Sequence, residues 1–136
     1  MDKKLELLAG VPLFSHLDRA GLEHIGRLAD EIDLPAGKEL LHEGALAYEF
    51  FLIVDGTVRI EHDGQVVNTL GAGQFLGEIA LLDGGRRTAT AIADSPVRVL
   101  VLGRREFNSL LSEFPDVRSA VLAALAERVR RHEGVE

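Results

Sequence analysis

Hydrophobic positions follow the spacing of an α-helix near the start of the chain. Within residues 20–29, apolar side chains recur so that they fall on one helix face. These apolar positions are Leu22, Ile25, Leu28 and Ala29. Asp18 stands just before this run, where its carboxylate can cap the helix, and residues 2–8 form a second, shorter helical pattern. The sequence therefore predicts N-terminal helices over about residues 2–29.

The pattern changes between Ile32 and Leu102, where short β-rich segments alternate with glycine-bearing turns. Two of these turns, Asp55-Gly56 and Asp63-Gly64, lie between strand-like runs, which is typical of β-hairpins. No long helical pattern interrupts this part of the chain. Closely spaced turns favour antiparallel over parallel pairing, so we expect a mainly β fold with flanking helices. Its centre would be an antiparallel β jelly-roll barrel over about residues 30–103.

Helical spacing returns after Gly103. Residues 104–114 predict one helix that ends before Pro115, and Pro115 then begins a second helix that runs to about residue 132. One narrow stripe of this second helix is expected to dock on the barrel. The stripe consists of Val117, Val121, Ala124 and Arg128. Periodicity alone favours Arg128 as a long side chain that snorkels at the helix end.

Length and composition describe one globular domain over residues 1–136, with 46% apolar and 27% charged residues. The net charge of −7 weighs against nucleic-acid contact, because such domains usually need a basic face. No apolar stretch approaches the roughly 20 residues that cross a bilayer. Cysteine is absent, which excludes disulfides, a thiol nucleophile and a thiolate metal site. The cytoplasm is the simplest compartment for such a chain.

The candidate chemistry lies between Gly71 and Asp94, where a glycine-rich turn leads to one acid, Glu78, and then to Arg87 and Thr88. Glu78 opens an apolar run long enough for one helical turn, whose free amides favour an anion. The guanidinium of Arg87 can contact a phosphate with two prongs, and the Thr88 hydroxyl can add a further bond. A carboxylate repels phosphate but accepts well from a ribose hydroxyl. These residues favour a ligand that carries both groups.

Other interpretations stay open on the residues alone. Glu78 and Arg87 can form a surface ion pair of little energetic value, and the arginine can belong to a solvated strand start. A metal-dependent enzyme of the cupin kind is an alternative of a different class, although the five histidines are scattered without ligand spacing. A dinucleotide-binding fingerprint does not fit, because Gly71, Gly73 and Gly77 are spaced one residue too widely.

The stretch GEIALLDGGRRTATAIAD closely resembles the phosphate-binding cassette of cyclic nucleotide-binding domains. This family includes bacterial catabolite activator proteins, the regulatory subunit of protein kinase A and nucleotide-gated channels. Its pattern, roughly F-G-E-x-A-L and then R-[TS/A]-A, is matched from Gly77 to Ala89. Leu76 replaces the usual aromatic residue, and Phe75 lies one position earlier. A second match lies in the early strands, at Gly37, Leu40, Glu43-Gly44, Phe50–Ile53 and Asp55–Val58.

The resemblance implies a polar shell around a cyclic nucleotide. Arg87 would pair with the exocyclic phosphate, and Glu78 would accept from the ribose 2′-hydroxyl. The backbone amides of Ala80 and Thr88, with Gly77, would complete this shell.

It also implies an apolar wall and a cap over the base. Leu76, Ile79 and Ala89 would form the wall, with Phe75 beside them. Arg128 would lie over the purine, since the last helices resemble those of nucleotide-gated channels.

A non-catalytic sensor domain is the function that the resemblance implies. It would bind a cyclic nucleotide, with cAMP favoured over cGMP, and signal through movement of its C-terminal helix without a cofactor or metal. Thr88 is compatible with either base. The last helix offers a stripe for a second copy or an effector domain, consisting of Leu122, Ala126 and Val129. A degenerate module used only for protein contacts is the remaining alternative, and the presence of Glu78 and Arg87 speaks against it.

Overall fold

Eight strands and five α-helices make up the part of the chain that the computed structural model describes, residues 3–132. Six side chains within that range are not described, namely Ile79, Leu82, Asp83, Val129, Arg131 and His132. The helices are α1 (Lys3–Ala9), α2 (Arg19–Leu28), α3 (Glu78–Asp83), α4 (Arg104–Glu113) and α5 (Pro115–His132), with a 3-10 helix at Pro12–Phe14. The strands are β1 (Asp30–Leu34), β2 (Glu39–Leu41), β3 (Glu49–Asp55), β4 (Val58–His62), β5 (Gln65–Leu70), β6 (Phe75–Leu76), β7 (Thr90–Ala93) and β8 (Val97–Gly103).

The strands form two four-stranded sheets in which every pairing is antiparallel. One sheet has the order β1-β8-β3-β6 and the other has the order β2-β7-β4-β5. Strands that follow each other in sequence are therefore mostly separated in space, as in a jelly roll. This arrangement confirms the predicted mainly β, antiparallel jelly-roll fold with flanking helices.

Of the two Asp-Gly turns that predicted hairpins, one forms a hairpin in the structure and the other does not. Asp63 and Gly64 both have positive φ, 52° and 79°, and they join β4 to β5 as a paired hairpin, as predicted. The turn at Asp55-Gly56 is not a hairpin, because β3 pairs with β6 and β8 whereas β4 belongs to the other sheet. The hairpin prediction was wrong there because long-range pairing with β7 outweighs the local turn signal.

Two apolar clusters form the core, and alternation along β3 divides them. Phe50 and Leu52 face the cluster that the helices cover, whereas Phe51 and Ile53 face the space between the two sheets. Successive side chains of a strand point to opposite faces, so the unbroken apolar run of β3 fills both clusters at once.

The helix ends and the last helix follow the sequence prediction. The Asp18 carboxylate accepts from the backbone N–H of Gly21 at 2.9 Å and caps α2. Helix α5 begins at Pro115 and buries Val117 and Val121 in the helix-side cluster. The 3-10 helix was not predicted. None of the helices in residues 3–132 is long and apolar enough to cross a membrane.

Gly56 occupies a closely packed turn. Its φ is 92°, and a Cβ added there would lie 2.4 Å from the carbonyl oxygen of Pro96. We expect Gly56→Ala to lower the free energy of unfolding by about 3 kcal/mol, since strain and overlap act together. Gly37→Ala is the matched control: its φ is 90°, but nothing lies within 4 Å of the added Cβ, so the loss should be about 1 kcal/mol. Urea denaturation measures both values, and equal losses would contradict the packing argument.

Candidate functional site

The segment that enters α3 is closely packed around Gly77. This residue has a φ of 96°, and a Cβ there would lie 2.9 Å from the carbonyl oxygen of Glu49 and 3.0 Å from Nη1 of Arg87. Glycine is therefore required both by backbone conformation and by space. The left-handed turn at Gly77 places Glu78 at the first position of α3, and Gly84, with a φ of 73°, ends the helix six residues later.

The guanidinium of Arg87 lies inside the protein, with 7% of the residue exposed. Its Nη1 donates to the carbonyl oxygen of Gly77 at 2.8 Å, and its Nη2 donates to that of Glu49 at 2.6 Å. Burial lowers the pKa of Arg87, and the carboxylates of Glu49 and Glu78 partly offset that effect. This burial excludes a surface ion pair and a solvated strand start for Arg87, whereas the neighbouring Arg86 is exposed.

Main-chain bonds fix the backbone of Arg87 against the loop between β2 and β3. The N–H of Arg87 donates to Ala45 O at 2.9 Å, and the N–H of Gly44 donates to Arg87 O at 2.9 Å. Leu46 and Arg86 form an isolated antiparallel bridge beside them. Sequence reasoning did not find the contribution of this loop or of the Glu49 carbonyl, because main-chain groups leave no signal in residue types.

A second arginine reaches the same segment from the last helix. Nη1 of Arg128 donates to Oε1 of Glu78 at 2.5 Å, and Nη2 donates to the carbonyl oxygen of Phe75. The guanidinium carbon also lies 4.9 Å from the centroid of the Phe75 ring, in a cation–π contact. Glu78 is fully buried and Arg128 is 8% exposed, so Arg128 does not snorkel into solvent. A buried ion pair thus connects α3 with α5.

The family model of the cyclic nucleotide-binding domain matches residues 31–114, which include β2 to β8, α3, α4 and all of β1 except its first residue. The chain belongs to this family. The predicted resemblance is therefore confirmed, and the glycine-flanked helix with Arg87 lies within the matched residues.

Known channels resemble this cyclic nucleotide-binding domain in sequence. It is 36% identical to a cyclic nucleotide-gated potassium channel of Rhizobium etli, over 90% of the domain and 34% of the channel. Against the potassium/sodium hyperpolarization-activated cyclic nucleotide-gated channel 3 of Mus musculus, it is 34% identical over 92% of the domain and 16% of the channel. The chain therefore spans about a third or less of these curated relatives.

Solved structures show the same fold. The Thermus thermophilus catabolite activator protein superposes with a TM-score of 0.79 at 31% identity, over 90% of this domain and 60% of that chain. The cAMP-bound PfPKA-R superposes with a TM-score of 0.84 at 24% identity, over 97% of this domain and 46% of that chain.

The remaining predicted ligand-binding residues of the domain lie on two sides of β6. Leu76 and Ala89, two of the residues predicted to form an apolar wall, belong to the cluster between the sheets. Phe75 and Ala80 belong to the helix-side cluster, so Phe75 lies beneath Arg128 and on the opposite side of the strand from Leu76.

Two predicted site residues are described less fully. Thr88 is half-buried. The side chain of Ile79 lies outside the described part of the chain.

Removing the Arg128 guanidinium would leave a buried carboxylate without this partner. We expect Arg128→Ala to lower the free energy of unfolding by about 3 kcal/mol, the lower end for breaking a buried ion pair from one side. Arg130→Ala is the control, because Arg130 is exposed on the same helix and its loss should cost less than about 0.5 kcal/mol. Urea denaturation measures both variants. A similar, small loss in each would show that the ion pair does not hold α5.

Proposed function

We propose that this chain is a non-catalytic sensor domain, in which Arg87 binds the cyclic phosphate of the nucleotide and Glu78 binds its ribose hydroxyl. The observation that carries the proposal is the buried and immobilised guanidinium of Arg87 within a segment of the matched family. Its bonds to Gly77 and Glu49 use two of its five N–H groups, so the fixed fork keeps donors for an anion.

The residues around Arg87 support a complete nucleotide site. The backbone amides of Ala80 and Thr88 would add donors to the phosphate, next to the close backbone approach at Gly77. Leu76, Ala89 and Ile79 would pack on the sugar and the base, and Phe75 would support the cap formed by Arg128. This site needs no metal or cofactor, and family membership favours it over the cupin-like enzyme.

The ion pair between Glu78 and Arg128 supports a mechanism for signalling. The guanidinium of Arg128 already donates to the Glu78 carboxylate. A ribose hydroxyl that donates to the same carboxylate would either share it with Arg128 or displace Arg128 from it. The released Arg128 would then contact the purine. Because Arg128 lies on α5, the ligand would make different contacts with two positions of that helix, which is the requirement for a ligand-driven switch.

The identity of the base and the target of α5 are finer parts of the proposal. Thr88 is compatible with either base, and we favour cAMP over cGMP because a cAMP-bound structure is among those with this fold. On α5, Leu122 and Ala126 are exposed and form a small surface on which a second copy or an effector domain would dock. In a longer protein, a neighbouring domain in contact with α5 would be displaced when this helix moves.

Calorimetric titration of the chain with cAMP, cGMP and 5′-AMP tests the phosphate assignment. We expect cAMP to bind best, and Arg87→Ala to weaken it by about 100-fold, the equivalent of one charged two-pronged contact. Arg86→Ala is the matched control, because the adjacent guanidinium is exposed and donates to Gly44 O. The affinity of this variant for cAMP should stay within about twofold of that of the unchanged protein.

Arg87 also bonds the backbone, so folding must be checked separately by circular dichroism. Arg87→Lys keeps the charge without the planar fork and should show an intermediate loss of affinity. Unchanged cAMP affinity in a folded Arg87→Ala variant would overturn the assignment. Binding of 5′-AMP as tight as that of cAMP would overturn the choice of a cyclic phosphate.

Distance measurements between spin labels test the movement of α5. The chain has no cysteine, so Leu122→Cys on α5 and Val66→Cys on β5 give two unique and exposed attachment points. Addition of cAMP should change this distance by about 2 Å or more, a typical helix shift. The control pair is Ile32→Cys with Val66→Cys, one position on each sheet, and its distance should not change. A constant distance in both pairs, with cAMP bound, would contradict signalling through α5 and leave the binding assignment intact.

A further inference from the structure

Three potential metal ligands meet at the hairpin between β4 and β5. His62 and Asp63 lie at the turn, and Glu43 reaches it from the loop after β2. Oε2 of Glu43 lies 3.4 Å from Nδ1 of His62, and Oδ2 of Asp63 lies 3.4 Å from Nε2 of the same ring. One donor atom from each residue lies within 4.8 Å of the other two. In the described part of the chain, this is the one group of His, Asp and Glu side chains with that geometry.

The imidazole of His62 has an unusual environment. Its Nδ1 is almost fully shielded from solvent and makes no hydrogen bond within the described structure, although it faces the Glu43 carboxylate. A shielded ring nitrogen normally has a hydrogen-bond partner, and neutral imidazole nitrogen is the commonest protein metal ligand. The separation of 3.4 Å is also about the distance between two ligands of a tetrahedral zinc ion with bonds near 2.1 Å.

Hydrogen bonds that do not involve the His62 ring hold Glu43 and Asp63 in place. The N–H of Asp63 donates to Oε1 of Glu43 at 3.3 Å, which turns the other carboxylate oxygen towards His62. The N–H of Glu43 donates to Oγ1 of Thr90 on β7 at 3.0 Å. A metal ion bonds to one ring nitrogen only, and Asp63 faces Nε2 whereas Glu43 faces Nδ1. The mostly exposed Asp63 side chain must therefore rotate to join Glu43 beside Nδ1.

The geometry points to a divalent transition-metal site formed by Glu43, His62 and Asp63, with Zn²⁺ as the ion that it fits best. One imidazole and two carboxylates suit zinc, whereas Ca²⁺ and Mg²⁺ prefer oxygen ligands throughout. The ion would also offset the repulsion between two carboxylates in a chain whose net charge is −7. This site contains none of the residues proposed to bind the nucleotide, so it stands or falls independently of that proposal.

Titration calorimetry of the full chain, without a histidine tag, with Zn²⁺ in a non-chelating buffer at neutral pH tests the site. We expect one zinc ion per chain, which excess Mg²⁺ and Ca²⁺ do not displace. His62→Ala should weaken zinc binding by about 100-fold or more, since even outer-shell partners of a metal contribute 10–100-fold. Asp63→Asn should also weaken it while keeping the left-handed turn, because asparagine tolerates that conformation.

His42→Ala is the matched control, because this histidine also lies beside a carboxylate. Its Nδ1 is 3.1 Å from Oε1 of Glu39. Its zinc affinity should equal that of the unchanged chain, and circular dichroism should show every variant folded. Absence of zinc binding, or binding that a folded His62→Ala variant retains, would overturn the site. An equal loss in His42→Ala would place the ion elsewhere. Preferential binding of Ca²⁺ would overturn the choice of metal.

Discussion

The ion pair between Glu78 and Arg128 is the interaction on which the arrangement of this domain depends. Moving either charge from water into the protein costs several kcal/mol, and neither group is tolerable there without a partner of opposite charge. The carboxylate belongs to a helix of six residues between two glycines, and the guanidinium belongs to the last helix. The position of the last helix is thus set by the electrostatics of α3 as well as by apolar packing.

Division of the core into two clusters determines what a movement of that helix would disturb. Val117 and Val121 of α5 pack in the helix-side cluster, whereas no described residue of α5 belongs to the cluster between the sheets. Adjacent residues of β6, Phe75 and Leu76, point into different clusters. The strand before Gly77 therefore lies on the boundary between the helix-side cluster and the cluster between the sheets.

The sequence predicted local features well, because their causes are local. The cap at Asp18, the helix start at Pro115 and the hairpin at Asp63-Gly64 each follow from one or two residues. The turn at Asp55-Gly56 has the same local signal and a different outcome, because its strands pair with distant partners. Sequence therefore predicts that the chain turns, while long-range pairing decides which strands meet.

The same distinction applies to the site. Glycine spacing and residue type named Glu78 and Arg87 as candidates, but the contact of Glu78 with Arg128 joins positions 50 residues apart. Periodicity placed Arg128 on the inner face of its helix without naming what it meets. The acceptors of Arg87 are peptide carbonyls, which every residue type possesses, so no sequence pattern reveals them.

Those carbonyl acceptors also make the position of Arg87 tolerant of amino-acid substitutions. A side chain that positions an arginine can be lost by one codon change, whereas a peptide oxygen persists through every substitution that preserves the course of the chain. Glu49 can therefore vary without depriving Arg87 of its acceptor. The vulnerability is concentrated at Gly77, where any added carbon meets both the acceptor and the guanidinium. A substitution at Gly77 would therefore displace this guanidinium directly.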